Sequence, residues 1–148
     1  LPIWWQVLNA KEYLNRVFKL QQKLKSMHLR AEEYDMLASS VPGPNYSGVR
    51  VDGTRSLEAP FVKWICKLSD LEAKIKETEA ELEKVKSEVV ATIESLDDER
   101  EKDVLMLRYI SCMTWDEILE KLYLSKPTAM RCHRGGLAKI EKMIPNDT

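Results

Sequence analysis

The chain has 148 residues, 44% hydrophobic and 32% charged, with five glycines and six prolines. That balance suits one ordered domain or two small ones, with enough length to bury a core. A formal net charge of −1 excludes a uniformly basic nucleic-acid coat, but a local basic surface needs only a few cations.

No apolar run approaches the roughly 18 residues that signal a membrane span, so no membrane partner is expected. The start, Leu1-Pro2-Ile3-Trp4-Trp5, has no basic leader and no small-residue cleavage site, which makes it a poor signal peptide. Residues 1–8 read as an N-terminal extension, residues 145–148 as a tail, and a cytoplasmic location is expected. Cys66, Cys112 and Cys132 are odd in number and lack CxxC spacing, which argues against a disulfide framework. Cys132-His133 has no partner pair at finger spacing, so neither a metal nor a cofactor is expected.

Two segments carry heptads. In the first, Ala10, Tyr13, Val17, Leu20, Leu24, Met27, Ala31, Tyr34 and Ala38 alternate at spacings of three and four. In the second, Phe61, Trp64, Leu68, Leu71, Ile75, Thr78, Leu82, Val85, Val89, Thr92 and Leu96 do the same. Such stripes stay on one face only if long helices wind around a partner. The other positions of the second stripe are largely Lys and Glu, with Asp70/Lys74 and Glu72/Lys76 one turn apart on an exposed face.

Between the stripes, residues 39–59 are rich in turn formers, including Pro42-Gly43-Pro44, Asn45, Gly48 and Asp52-Gly53. Proline blocks the helix at the preceding residue, so the first helix stops before Pro42. A linker of this length returns the chain most simply as an antiparallel hairpin over residues 9–96. Its cations, Arg50 and Arg55, give the loop some basic character, and a plain connector is its simplest role. The hairpin itself is a spacer, a homodimer surface or a docking face.

After Leu96 the periodic units shorten. Asp97 and Asp98 precede a helix over residues 99–110, where acids suit the positive end of the helix dipole. Thr114-Trp115-Asp116-Glu117 reads as a capping box, with Thr114 capping a short helix and Glu117 reaching back. Ser125 caps a third helix with Pro127 in its first turn. Two short helices joined by a tight turn, the second basic at its start, match a DNA-reading helix-turn-helix. Charge sorts accordingly. Residues 94–120 hold nine acids against three bases, whereas residues 125–142 hold Lys126, Arg131, Arg134, Lys139 and Lys142 against Glu141 alone. The expected fold is therefore all-α, a long antiparallel helical hairpin followed by a three-helix helix-turn-helix unit over residues 97–144.

Leu107-Arg108-Tyr109, then Thr114-Trp115-Asp116-Glu117-Ile118, then Ser125-Lys126-Pro127-Thr128-Ala129 with Arg131 and Arg134 resemble region 4 of sigma-70-type factors. With Asn9-Ala10-Lys11-Glu12-Tyr13-Leu14 and the hairpin, residues 9–143 look like a narrower group. These are the sigma-region-4-like phage and prophage proteins of Gram-positive bacteria, akin to ArpU/RinA-type late transcription regulators.

The resemblance implies a sequence-specific DNA-binding regulator whose partners are double-stranded DNA and RNA polymerase. It places Thr128, Met130, Arg131 and Arg134 on the major-groove face, with Ser125 and Lys126 near phosphate. Arginine pairs with guanine O6 and N7, which makes Arg131 and Arg134 the base-reading candidates. Ile118, Leu122, Ala129, Leu137 and Ile140 would pack the small core.

Three departures from that pattern carry expectations. Tyr123 and Cys112 stand where the family usually has Gly, and positive φ is unfavourable for a bulky residue. Gly135-Gly136 interrupt the third helix and would let it kink or fray. Trp115 is expected to pack near Tyr109, His133 to be a packing histidine, and Met130 to touch a thymine methyl group or to pack.

Two other functions fit the same residues: a DNA-packaging protein resembling a small terminase subunit, and a coiled-coil adaptor that binds only protein. Enzymatic activity is not expected. The sequence contains no nucleophile–histidine–acid set and no Gly-rich phosphate loop, and its histidines are His28 and His133.

Overall fold

The computed structural model describes residues 3–40 and 60–144, with side chains from Ala10 onward in the first segment and from Phe61 in the second. Among these residues the protein is all-α. Helix α1 spans Ile3–Ser40, α2 Pro60–Glu94, α3 Glu99–Leu105, α4 Trp115–Leu122 and α5 Lys126–Met143, and a π-helical turn over Met106–Ile110 extends α3. The end of α1 falls two residues before Pro42, as that residue dictates. Residues 3–8 continue α1, so the helix begins ahead of the expected boundary at residue 9. The first two residues of the expected loop over 39–59, Ser39 and Ser40, belong to α1, and the rest of it, including Arg50 and Arg55, lies outside the described residues. No helix among the described residues is long and apolar enough to cross a membrane.

Two compact units form, Leu1–Gln21 with Glu81–Thr148, and Gln22–Ala80. The division therefore does not fall at Leu96, because the start of α1 and the end of α2 share a core with the C-terminal helices. That core joins Ala10, Leu14 and Val17 of α1, Val85, Val89 and Ile93 of α2, then Leu96, Leu105, Tyr109, Leu137 and Ile140. Leu14 and Ile93 lie beside the heptad stripes, yet both are fully buried. A two-helix seam needs only two apolar positions per heptad, whereas a third layer of packing widens the buried face. Tyr13, a stripe residue, is half-buried here; its hydroxyl lies 3.1 Å from Glu88 Oε1 and 3.2 Å from Thr92 Oγ1.

In the other unit, Leu24, Met27, Leu71 and Ile75 are buried on the predicted stripes, with Thr78 among them. Thr78 is polar but satisfied, since its hydroxyl donates to the Lys74 carbonyl at 2.9 Å. Tyr34 and Trp64 pair at 5.9 Å between ring centres. An exposed contact of 3.8 Å joins His28 to Glu79.

Local capping explains where the short helices start. Asp98 Oδ1 accepts from the N–H groups of Arg100 and Glu101 at 2.9 and 3.3 Å, starting α3. The Ser111 N–H reaches five residues back to the Met106 carbonyl at 3.0 Å, which defines the π turn. Thr114 caps α4 by accepting from the Glu117 N–H at 3.3 Å. Glu117 does reach back, but its carboxylate accepts from the Thr114 hydroxyl at 3.1 Å where the capping box predicts the backbone N–H.

Tyr123 ends α4 in the left-handed conformation, at φ 54° and ψ 43°. The turn thus keeps the geometry for which Gly is usual, although an L side chain costs roughly 1–2 kcal/mol there. Its ring extends into solvent, 94% exposed, so no packing offsets that strain. Cys112 is likewise left-handed, at φ 55°.

Candidate nucleic-acid interface

Helix α5 begins at a well-made cap. Ser125 Oγ accepts from the Thr128 N–H at 3.4 Å and donates to Thr128 Oγ1 at 2.8 Å, and Pro127 occupies the first turn. The Ala129 N–H donates to the Ser125 carbonyl at 2.9 Å. Because Pro127 has no N–H, Lys126 supplies the open first-turn amide toward an anion at this end. The Ser125 hydroxyl, expected near phosphate, is already engaged by Thr128.

Helical spacing then separates two faces. Ala129, Gly136, Leu137 and Ile140 are buried and repeat at three and four residues. Arg131 lies opposite that stripe, with Thr128 and Arg134 one on each side of it. Arg131, Arg134 and Lys126 are exposed, and Thr128 and Met130 are half-buried. Among the described residues, no carboxylate closes on Arg131 or Arg134 to form an ion pair. The six sequence-derived residues thus gather along the first three turns of one helix. Leu122, expected in the core, is only half-buried, whereas Ile118 is fully enclosed.

Lys139 does not belong to this surface. Its ammonium sits 2.8 Å from Glu101 Oε2, and the Glu101 side chain is only 11% exposed. Hydrogen bonding to Glu101, together with Glu101, Asp98 and Asp97, holds Lys139 above the usual lysine range. This cation locks α5 to α3, leaving Lys126, Arg131, Arg134 and Lys142 as exposed cations on the helix.

The two glycines serve the same contact. A Cβ on Gly136 would lie 2.7 Å from Leu105 Cδ1, and one on Gly135 would lie 2.7 Å from Glu101 Oε1. No kink or fraying is seen at these glycines: α5 runs unbroken from Lys126 to Met143, and Gly136 allows its close approach to Leu105 of α3.

A buried aromatic group supports α5 from the other side. The Tyr109 hydroxyl and His133 Nε2 are 2.7 Å apart, with their rings stacked at 5.7 Å. Burial holds His133 well below its usual range, at about 4, with Lys11 and Arg108 adding to the shift. The imidazole is therefore neutral at pH 7 and shares a hydrogen bond with the phenol through Nε2. Trp115 meets His133 edge-on at 4.9 Å, so it reaches Tyr109 only through the imidazole. The Arg108 guanidinium covers the Trp115 ring at 5.1 Å and donates to the Met113 carbonyl at 2.9 Å. These long-range partners leave no signal in spacing or capping. Tyr123, bare in the turn before α5, carries no sequence signal beyond its misfit at a glycine position.

Cys66, Cys112 and Cys132 are free thiols. Among the described residues, no three His, Cys, Asp or Glu side chains converge to form a metal site.

The family described as "Protein of unknown function (DUF1492)" matches residues 40–141, more than half of the chain, and the chain belongs to it. No curated protein matches, and no solved structure matches.

Proposed function

We propose that this member of the DUF1492 family is a non-enzymatic, sequence-specific DNA-binding regulator of the sigma-region-4-like phage type, reading the major groove with α5. The observation that carries the reading is the placement of Thr128, Arg131 and Arg134 away from the buried stripe of a firmly anchored helix. Met130 and Lys126 flank this row. The order of the Leu107-Arg108-Tyr109, Thr114–Ile118 and Ser125–Ala129 motifs supports the same assignment, and a polymerase partner follows from the resemblance. The gene class, late or lysis genes, rests on that resemblance alone.

With about four exposed cations on α5, a single copy binds weakly. The slope of log affinity against log salt is no steeper than about −4. A functional complex therefore takes two copies or a polymerase partner.

The test is binding of the purified protein to fragments of its surrounding genome at two salt concentrations, beside Arg131→Ala/Arg134→Ala. Selective binding that the double variant loses supports a sequence reader. Absence of binding to every fragment at low salt overturns direct recognition and favours a protein-binding adaptor. A ring oligomer that packages DNA would favour the terminase-like role.

A further inference from the structure

Lys11, Asn15 and Phe18 of α1 line a cleft with Arg108, Cys112 and Thr114, from the π turn to the start of α4. Its volume is about 440 Å³, inside the roughly 300–1,000 Å³ typical of small-molecule sites. The lining has two characters. Lys11 and Arg108 bring positive charge and Asn15 an amide, whereas the Phe18 ring is 42% exposed despite its size.

Arg108 is positioned in advance. Its guanidinium is fixed by the Met113 carbonyl and the Trp115 ring, so little side-chain freedom is left to lose on binding. Cys112 turns the corner in a left-handed conformation and donates its thiol to Gln21 Oε1 at 3.1 Å. The nearby Glu117 carboxylate is engaged in capping α4 through Thr114.

The local field is unusual for a chain with 24 acids and 23 lysines and arginines. The charged groups that act on Cys112 are Arg108 and Lys86, and those that act on His133 are Lys11 and Arg108. All are cations. Two cations lining one cleft, Lys11 and Arg108, favour an anion there.

We propose that this cleft binds a small oxyanion carrying an apolar group, with the anion against Lys11 and Arg108 and the apolar part against Phe18. Aryl phosphates and aromatic carboxylates share that chemistry. The site is separate from the α5 surface and does not rest on the DNA-binding reading.

The experiment follows backbone amide signals of the full chain by NMR during titration with phenyl phosphate. Inorganic phosphate and benzyl alcohol serve as probes for each half of the ligand. Saturable shifts are expected at Lys11, Asn15, Phe18, Arg108, Cys112 and Thr114, and at the Trp115 indole, with both half-probes at least ten-fold weaker. Lys11→Gln should weaken phenyl phosphate at least five-fold without disturbing the rest of the spectrum, since Lys11 is exposed. Arg131→Ala/Arg134→Ala should leave it unchanged, whatever those arginines do to DNA. Shifts scattered over surface lysines, equal affinity for inorganic phosphate, an unaffected Lys11→Gln or displacement by duplex DNA would each overturn the proposal.

Discussion

The Tyr109 hydroxyl and His133 Nε2 meet at 2.7 Å, tying the π turn after α3 to the middle of α5. Tyr109 is 2% exposed, and burial pushes its phenol up to about 12. At pH 7 the pair is therefore a neutral phenol hydrogen-bonded to a neutral imidazole, and protonating the imidazole places a charge in a desolvated site.

Stability consequently falls in mild acid. His133 titrates near 4 when folded, against about 6.5 when unfolded, so the unfolded chain binds the extra proton first. The contribution is complete above pH 6.5 and is lost as pH drops toward 4. The full shift sets a ceiling of about 3 kcal/mol, which partial solvent access reduces to about 1–2 kcal/mol. Melting curves from pH 7.5 to 4 should show this decline, and His133→Phe should flatten it while lowering stability at pH 7.

The paired glycines should respond unequally to alanine. At Gly136 the new methyl meets Leu105, itself fully buried, and overpacking there costs about 1–3 kcal/mol, less about 1 kcal/mol of helix propensity. At Gly135 it meets Glu101 Oε1, the far end of a flexible side chain, which yields at less cost than a packed leucine. Urea unfolding should show Gly136→Ala destabilised by up to about 2 kcal/mol and Gly135→Ala near wild type. Equal effects would contradict the close packing of α5 on Leu105.

Lys139 and the two arginines should separate stability from DNA binding. Lys139→Ala leaves the Glu101 carboxylate enclosed without its ammonium, and an enclosed charge without a partner lowers the melting temperature. Its affinity for DNA at a temperature where it is folded should stay within two-fold of wild type. Arg131→Ala/Arg134→Ala should change unfolding by less than about 0.5 kcal/mol per site, as expected for exposed positions, while losing DNA if the proposed function holds. Paired denaturation and binding curves check both halves.

The parts legible in the sequence are those with short-range causes. Heptad spacing identifies Val17, Leu24, Met27, Leu71, Ile75, Val85 and Val89 as buried, and all are. Asp98, Thr114 and Ser125 announce three helix starts because a cap acts within three residues. Pro42 marks the end of α1 for an equally local reason. The row of Thr128, Arg131 and Arg134 follows from the period of one capped helix.

Tertiary packing decided the rest. Leu14 and Ile93 are buried by a third layer that no heptad encodes, and Gly135-Gly136 read as weak points until α3 lies against them. Lys139 counts among the free cations of residues 125–142 until Glu101, 38 residues earlier, claims it. Spacing and capping depend on neighbours within a turn or two, so the sequence by itself determined the helices and the polarity of α5. Which side of each helix gains a further neighbour depends on contacts dozens of residues apart, and only the assembled core chose among them.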